Sequence, residues 1–190
     1  MVSAMADDIR RDADARMARA IEALEREMAA IRTGRAATAL VERIPVEYYG
    51  TQTPLNQLAS ISVPEAHMIV IQPWDRSALG AIEKAILKSE VGLTPNVDGT
   101  VVRLNIPALT EERRRDLVKL VHKRMEEARV EIRNHRRDVA DDIKKALRDG
   151  DIGADDERRE MELLQKLTDR WTAEVDRVGK HKEQEILEVG

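Results

Sequence analysis

Three long stretches of this chain carry the narrow apolar stripe of a helix bundle, and about seventy residues between the first and second follow another rhythm. The first stripe places Ile9, Ala13, Met17, Ala20, Leu24, Met28 and Ile31 in steps of four, four and three, twice over. The second runs Leu117, Val121, Met125, Ala128, Ile132, Val139, Ile143 and Ala146, with His135 filling one slot. The third runs Leu164, Leu167, Trp171, Val175 and Val178. A stripe this narrow belongs to the seam of a bundle and not to the wider face of a globular helix. The expected fold class is therefore α+β: an elongated antiparallel three-helix bundle with a small β/α/β domain inserted after its first helix.

The expected bounds are 1–34 with 105–190 for the discontinuous bundle and 35–104 for the insert. Connections at 34–38 and 105–108 would act as a paired hinge, with Gly34, Arg35, Thr38, Asn105 and Pro107 as its candidate residues. The first helix is expected from Ser3 to Thr33, stopped by Gly34. In the insert, Ile44–Gly50, Leu58–Val63 and Met68–Ile71 read as strands. Asp75-Arg76-Ser77 opens a short helix with Leu79, Ile82, Ala85, Ile86 and Leu87 on its apolar face, stopped at Val91-Gly92. Asp98-Gly99, between Thr94-Pro95-Asn96 and Val101–Leu104, signals a hairpin. Thr110 caps a second long helix ending near Arg148, and Asp155 caps a third ending near Leu187.

Composition narrows the chemistry. Aromatic residues are 2% of the chain and charged residues 36%, which argues against a large enzyme core lined by aromatic area. With no cysteine there is no disulfide, thiolate nucleophile or zinc-thiolate site. The four histidines, His67, His122, His135 and His181, show no metal-ligand spacing, and no glycine-rich phosphate loop is present. The chain is thus expected to be no enzyme, with no catalytic residues, no metal and no cofactor. No apolar run approaches the ~20 residues that cross a bilayer. The first sixteen residues are charged, without a signal-peptide core, so a cytoplasmic location without membrane contact is expected.

Charge is unevenly spread over a net −4. Residues 103–148 hold 14 Lys/Arg against 9 Asp/Glu, whereas 149–190 hold 7 against 13, so an anionic partner should meet the second helix. Within it, Arg129, Arg133, Arg136 and Arg137 fall within about one quadrant at 100° per residue. Two readings of this stripe stand: solvated arginines paired with acids on neighbouring helices, or an array for RNA phosphates, which guanidinium groups grip in bidentate fashion. Arg113, Arg114 and Arg115 would extend the stripe. With exposed aromatics so scarce, recognition of folded RNA by shape and phosphate fits better than base stacking.

Several segments, in order and spacing, resemble the bacterial ribosome recycling factors. They are Arg32-Thr33-Gly34-Arg35-Ala36, Val46-Glu47-Tyr48-Tyr49-Gly50-Thr51, Thr53-Pro54-Leu55-Asn56-Gln57-Leu58-Ala59, Glu83-Lys84-Ala85-Ile86 and Gly92-Leu93-Thr94-Pro95-Asn96. The likeness continues through Leu109-Thr110-Glu111-Glu112-Arg113-Arg114, Ala128-Arg129-Val130 and Arg133-Asn134-His135-Arg136-Arg137-Asp138. The resemblance implies an L-shaped, hinged molecule that acts after termination with elongation factor G and GTP. Together they split the ribosomal subunits and release messenger RNA and tRNA. It also implies that the bundle lies on the large subunit against ribosomal RNA, with Arg129, Arg133 and Arg136 among its contacts, which favours the phosphate reading. A monomer with no DNA partner is expected. Relatives often carry a proline after the Gly34-Arg35 pair, where this chain has Ala37-Thr38, so its linker is less stiffened. The rival reading is a helical-bundle adaptor or chaperone cofactor that binds proteins.

Overall fold

The computed structural model describes residues 4–188. Its contacts divide them into two compact units: the chain up to Ile31 together with Glu111–Glu188, and the intervening Arg32–Thr110.

The first unit is a three-helix bundle of α1 (Ala4–Ala30), α3 (Glu111–Arg148) and α4 (Ala154–Glu188). Every apolar residue of the second stripe is buried, from Leu117 to Ala146. Cross-helix bonds set the directions. Arg129 reaches Asp176 and Arg136 reaches Gln165, so α3 runs against α4. Arg10 reaches Glu160 and Asp14 accepts from Trp171, so α1 runs with α4.

The third stripe differs from expectation. Helix α4 buries Glu160, Leu164, Thr168, Val175, Val178, Gly179, Lys182 and Ile186, while Leu167 and Trp171 are only half-buried. Each buried polar group has a partner. Glu160 receives Arg10 Nε at 3.1 Å and Nη2 at 2.9 Å, and Thr168 Oγ1 donates to Leu164 O. Lys182 Nζ lies 3.5 Å from Glu185. Trp171 turns outward because its indole N–H donates to Asp14 at 2.9 Å. The Met125 side chain packs directly over Gly179, so that a Cβ there would lie 2.6 Å from Met125 Cγ.

The ends also shift. Helix α1 closes at Ala30, ahead of Gly34, with Ile31 N donating to Met28 O in a tighter last turn; Ser3 lies outside the described residues. Helix α4 begins at Ala154, so Asp155 stands inside its first turn, and Asp156 Oδ2 instead accepts from Gly153 N.

The second unit is a four-stranded antiparallel sheet, order β3-β4-β6-β5, with a separate hairpin β1-β2 and one helix α2 (Leu79–Lys88). The strands are β1 Pro45–Tyr48, β2 Thr51–Pro54, β3 Ala59–Glu65, β4 Met68–Pro73, β5 Pro95–Asp98 and β6 Val101–Asn105. Alternation builds the core: Ile69 and Ile71 of β4 are buried opposite Leu104 and Val102 of β6. Helix α2 adds Ile82 and Ile86, but Leu87, expected on its apolar face, is 60% exposed. It stops at Lys88, ahead of Val91-Gly92, because the Ser89 hydroxyl turns back to bond Ile86 O.

The expected strand Ile44–Gly50 is instead the first arm of a hairpin turning at Tyr49 and Gly50, whose φ angles are 48° and 76°. Both lie in the left-handed region, which suits Gly50 and strains Tyr49, whose ring stands 82% exposed. The neighbouring Tyr48 hydroxyl donates to Asp75 at 2.6 Å. That bond pushes the Tyr48 phenol up to about 12 and holds the Asp75 carboxyl below its ordinary range.

The connecting segments are fastened to the β3–β4 turn. Ala36 N donates to Ala66 O, Ile106 N donates to His67 O, and His67 Nδ1 lies 3.0 Å from Gly34 O. Gly34 has φ 72°, and a Cβ there would meet Leu109 Cγ at 3.2 Å, so glycine fits this position best.

Candidate nucleic-acid interface

Helix α3 sends its apolar seam into the bundle and leaves a second face open, and four arginines line that face. Arg133, Arg136 and Arg137 border a groove of about 400 Å³ between α3 and α4, together with Lys144, Asp141 and Gln165. Arg136 and Arg137 are exposed, and the Arg133 side chain is 54% exposed.

The arginines already have partners. Arg129 Nη2 donates to Asp176 Oδ1 at 2.6 Å and its Nη1 to Glu126 Oε2 at 3.3 Å. Its bond to Asp176 is the main reason its guanidinium holds its proton more firmly than usual. Arg133 Nη2 donates to the other Glu126 oxygen at 2.7 Å. Arg136 Nη1 donates to Gln165 Oε1 at 2.8 Å, and Arg137 Nη2 to Asn134 Oδ1 at 3.4 Å. The two bonds, Arg133's first and Arg129's second, keep the Glu126 carboxyl below its usual range.

Both readings of the stripe therefore have structural content. Acids neutralise part of its charge, yet most of these contacts are solvent-exposed and each is worth at most about 1 kcal/mol. A phosphate can displace them at little cost. The arrangement suits a polyanion with spaced charges. It offers no enclosed pocket for a small substrate, and among the described residues no group of three or more His, Cys, Asp or Glu could hold a metal.

Arg129, Arg133, Arg136 and Arg137 are brought together on one face. Arg113 is not among them: it is exposed in the first turn of α3, ~24 Å from Arg129 along the axis at 1.5 Å per residue. At 100° per residue it points roughly 200° round from Arg129, to the other side of the helix. Gly34, Arg35, Thr38, Asn105 and Pro107 all lie in the sheet unit. The sequence reading missed Lys144 and Gln165, although helical wheels of both helices could have shown them; it also missed the Arg129–Asp176 pair, which depends on how the helices pack.

Among the described residues no helix is long and apolar enough to cross a membrane. A family model described as ribosome recycling factor matches residues 24–187. A ribosome-recycling factor of Thermomicrobium roseum is 57% identical over 185 residues, covering 97% of this chain and all of that protein. The Bacillus subtilis ribosome-recycling factor is 56% identical over 174 residues, covering 92% of this chain and 94% of the relative. A solution structure of a ribosome recycling factor superposes with TM-score 0.72 at 48% identity, both chains covered fully. A second structure, of the T. thermophilus factor with E. coli elongation factor G on the E. coli post-termination complex, gives TM-score 0.60 at 42% identity over both full chains. With a bundle, a small antiparallel sheet unit and relatives matched over nearly their whole length, the chain belongs to the ribosome recycling factor family.

Proposed function

We propose that this chain binds the post-termination ribosome in the cytoplasm and, with elongation factor G and GTP, separates the subunits so that messenger RNA and tRNA leave. The bundle is the anchoring arm. Arg129, Arg133, Arg136 and Arg137 meet ribosomal RNA phosphates of the large subunit, and Arg113 adds a separate contact at the start of α3. The observation that carries this reading is the open arginine face of α3, bordered by a groove, in a chain of this family.

The chain does its part without catalysis; nucleotide hydrolysis belongs to the elongation factor. The domain plan is 1–34 with 105–190 for the arm and 35–104 for the moving part, with flexure at 34–38 and 105–108. Gly34, Ala36 and Ile106 all hydrogen-bond to Ala66 or His67 within the sheet unit, so both connections travel with one turn of that unit and the bending falls at their helix-side ends.

Co-sedimentation with purified large ribosomal subunits across a salt series tests the anchor. Binding should fall steeply with salt, and Arg133→Ala with Arg136→Ala should weaken it and flatten the logarithmic salt slope by roughly one per arginine. Helix content should stay unchanged in circular dichroism, since both side chains are exposed. Unchanged binding of the double variant refutes the anchor, and no binding at low salt favours a protein-binding adaptor.

A further inference from the structure

Glu126 is the acid that stands at the N-terminal end of the arginine face and within its angular span. At 100° per residue it lies about 60° round from Arg129, between Arg133 and Arg137. Its two oxygens take one guanidinium each, Arg133 at 2.7 Å and Arg129 at 3.3 Å. A phosphodiester presents the same chemistry, two anionic oxygens that accept N–H groups from two arginines. We propose that Glu126 is an intramolecular stand-in for an RNA phosphate, and that its displacement from Arg129 and Arg133 sets how quickly the chain leaves RNA. This rests on the anchor reading of the stripe.

The direction of the effect follows from where the carboxylate goes. When phosphate takes the arginines, both Glu126 contacts are lost. The freed carboxylate then stands beside the phosphate as a like charge. Both changes weaken the bound state. Against them works one benefit: in the free chain Glu126 holds two long side chains extended, so less freedom is lost on binding. The contacts are exposed, with the Glu126 side chain 55% and the Arg133 side chain 54% accessible, so that ordering is loose and the two penalties dominate. Arg129 keeps Asp176 as a second partner, whereas Arg133 pairs with Glu126 among the described residues. Arg133 is therefore the arginine that Glu126 governs most.

Removing the carboxylate also raises the net charge of the molecule, and that alone would tighten binding to any polyanion. Asp141 separates the two causes. It borders the same groove as Arg133, Arg136 and Arg137, and its carboxylate holds none of them. Asp141→Asn thus changes the charge of this face equally without releasing an arginine.

The experiment is a chase. Labelled full-length protein is bound to purified large ribosomal subunits, and its dissociation is followed after excess unlabelled protein is added. Glu126→Gln should slow dissociation by roughly three- to ten-fold, the scale of two exposed ion pairs. Glu126→Ala, which removes the acceptor altogether, should do the same, while Asp141→Asn should change the rate by less than about two-fold. Association rates should differ little among the three. If Glu126→Gln and Glu126→Ala dissociate no more slowly than Asp141→Asn while Arg133→Ala/Arg136→Ala still weakens binding, the role of Glu126 is refuted and the anchor stands. If the arginine pair can be removed without loss of binding, the anchor fails and this inference with it.

Discussion

Helix α3 turns eight apolar side chains into the bundle, whereas α4, packed along it, buries Glu160, Thr168, Gly179 and Lys182 among its Leu, Val and Ile. The difference is one of task. A seam made only of apolar side chains adheres well, but it accepts a partner displaced by a helical turn almost as readily. The bidentate Arg10–Glu160 pair and the Trp171–Asp14 bond exist in one alignment alone. Directional polar pairs of this kind, with Glu160 buried and Arg10 and Asp14 part-exposed, fix register more than they add stability. On this view α3 supplies adhesion and keeps its other face for RNA, while α4 sets the alignment of α1.

That contrast can be broken by denaturation in a Trp74→Phe background, which leaves Trp171 as the sole tryptophan and so reports on the bundle. The largest loss should come from α3. Ile132 is completely buried, and Ile132→Ala should cost about 2–5 kcal/mol through lost transfer energy and a cavity. A loss no greater than those from the α4 variants below would overturn the division of labour.

Next is Gly179→Ala, whose methyl displaces the Met125 side chain at a cost of about 1–3 kcal/mol, from which alanine's better helix propensity returns roughly 1 kcal/mol. Met125→Ala should recover part of the added cost in a double-variant cycle, because it removes the colliding atoms. Additive losses would mean that the close approach is not what requires glycine here.

The smallest effect should be that of Glu160→Gln, about 1–2 kcal/mol. The Arg10 side chain is 36% exposed and can return to water, so the loss stays well below that of stranding a buried charge. Hydrogen exchange sharpens the comparison: Glu160→Gln should speed exchange along α1 and α4 more than Ile132→Ala does at matched stability. Equal patterns would remove the case for a register role.

The same two helices mark how far periodicity reads. All the apolar slots of α3 were legible because each is filled by a residue that burial favours. On α4 the apolar spacing pointed to Leu167 and Trp171, but the buried line passes through Thr168 and Gly179. Thr168 can enter because its hydroxyl bonds its own helix, and Gly179 because the Met125 side chain fills the space a side chain would take. Strand β2 left no signal, since Thr51-Gln52-Thr53-Pro54 has no apolar alternation and owes its pairing to the Tyr49-Gly50 turn. At the interface the arginine quadrant was visible from angles along one helix. The same rule places Arg113 on the far side, where three neighbouring arginines had suggested a continuous stripe. What no single-helix rule supplies is the pairing across helices, as between Arg129 and Asp176.

The pairing of α1 with α4 also governs how the molecule can be made. Arg10 and Glu160 are separated by 150 positions in the chain, and the whole sheet unit is translated between them. At 5–20 residues per second, about 8–30 s pass between the synthesis of one partner and that of the other. The sheet unit is continuous in sequence and can close on itself as it emerges. Helix α1 must wait, its apolar stripe uncovered, until α3 and α4 have followed. The first helix to be synthesised is thus among the last to be buried, and in the nascent chain it is the segment with most need of protection from aggregation.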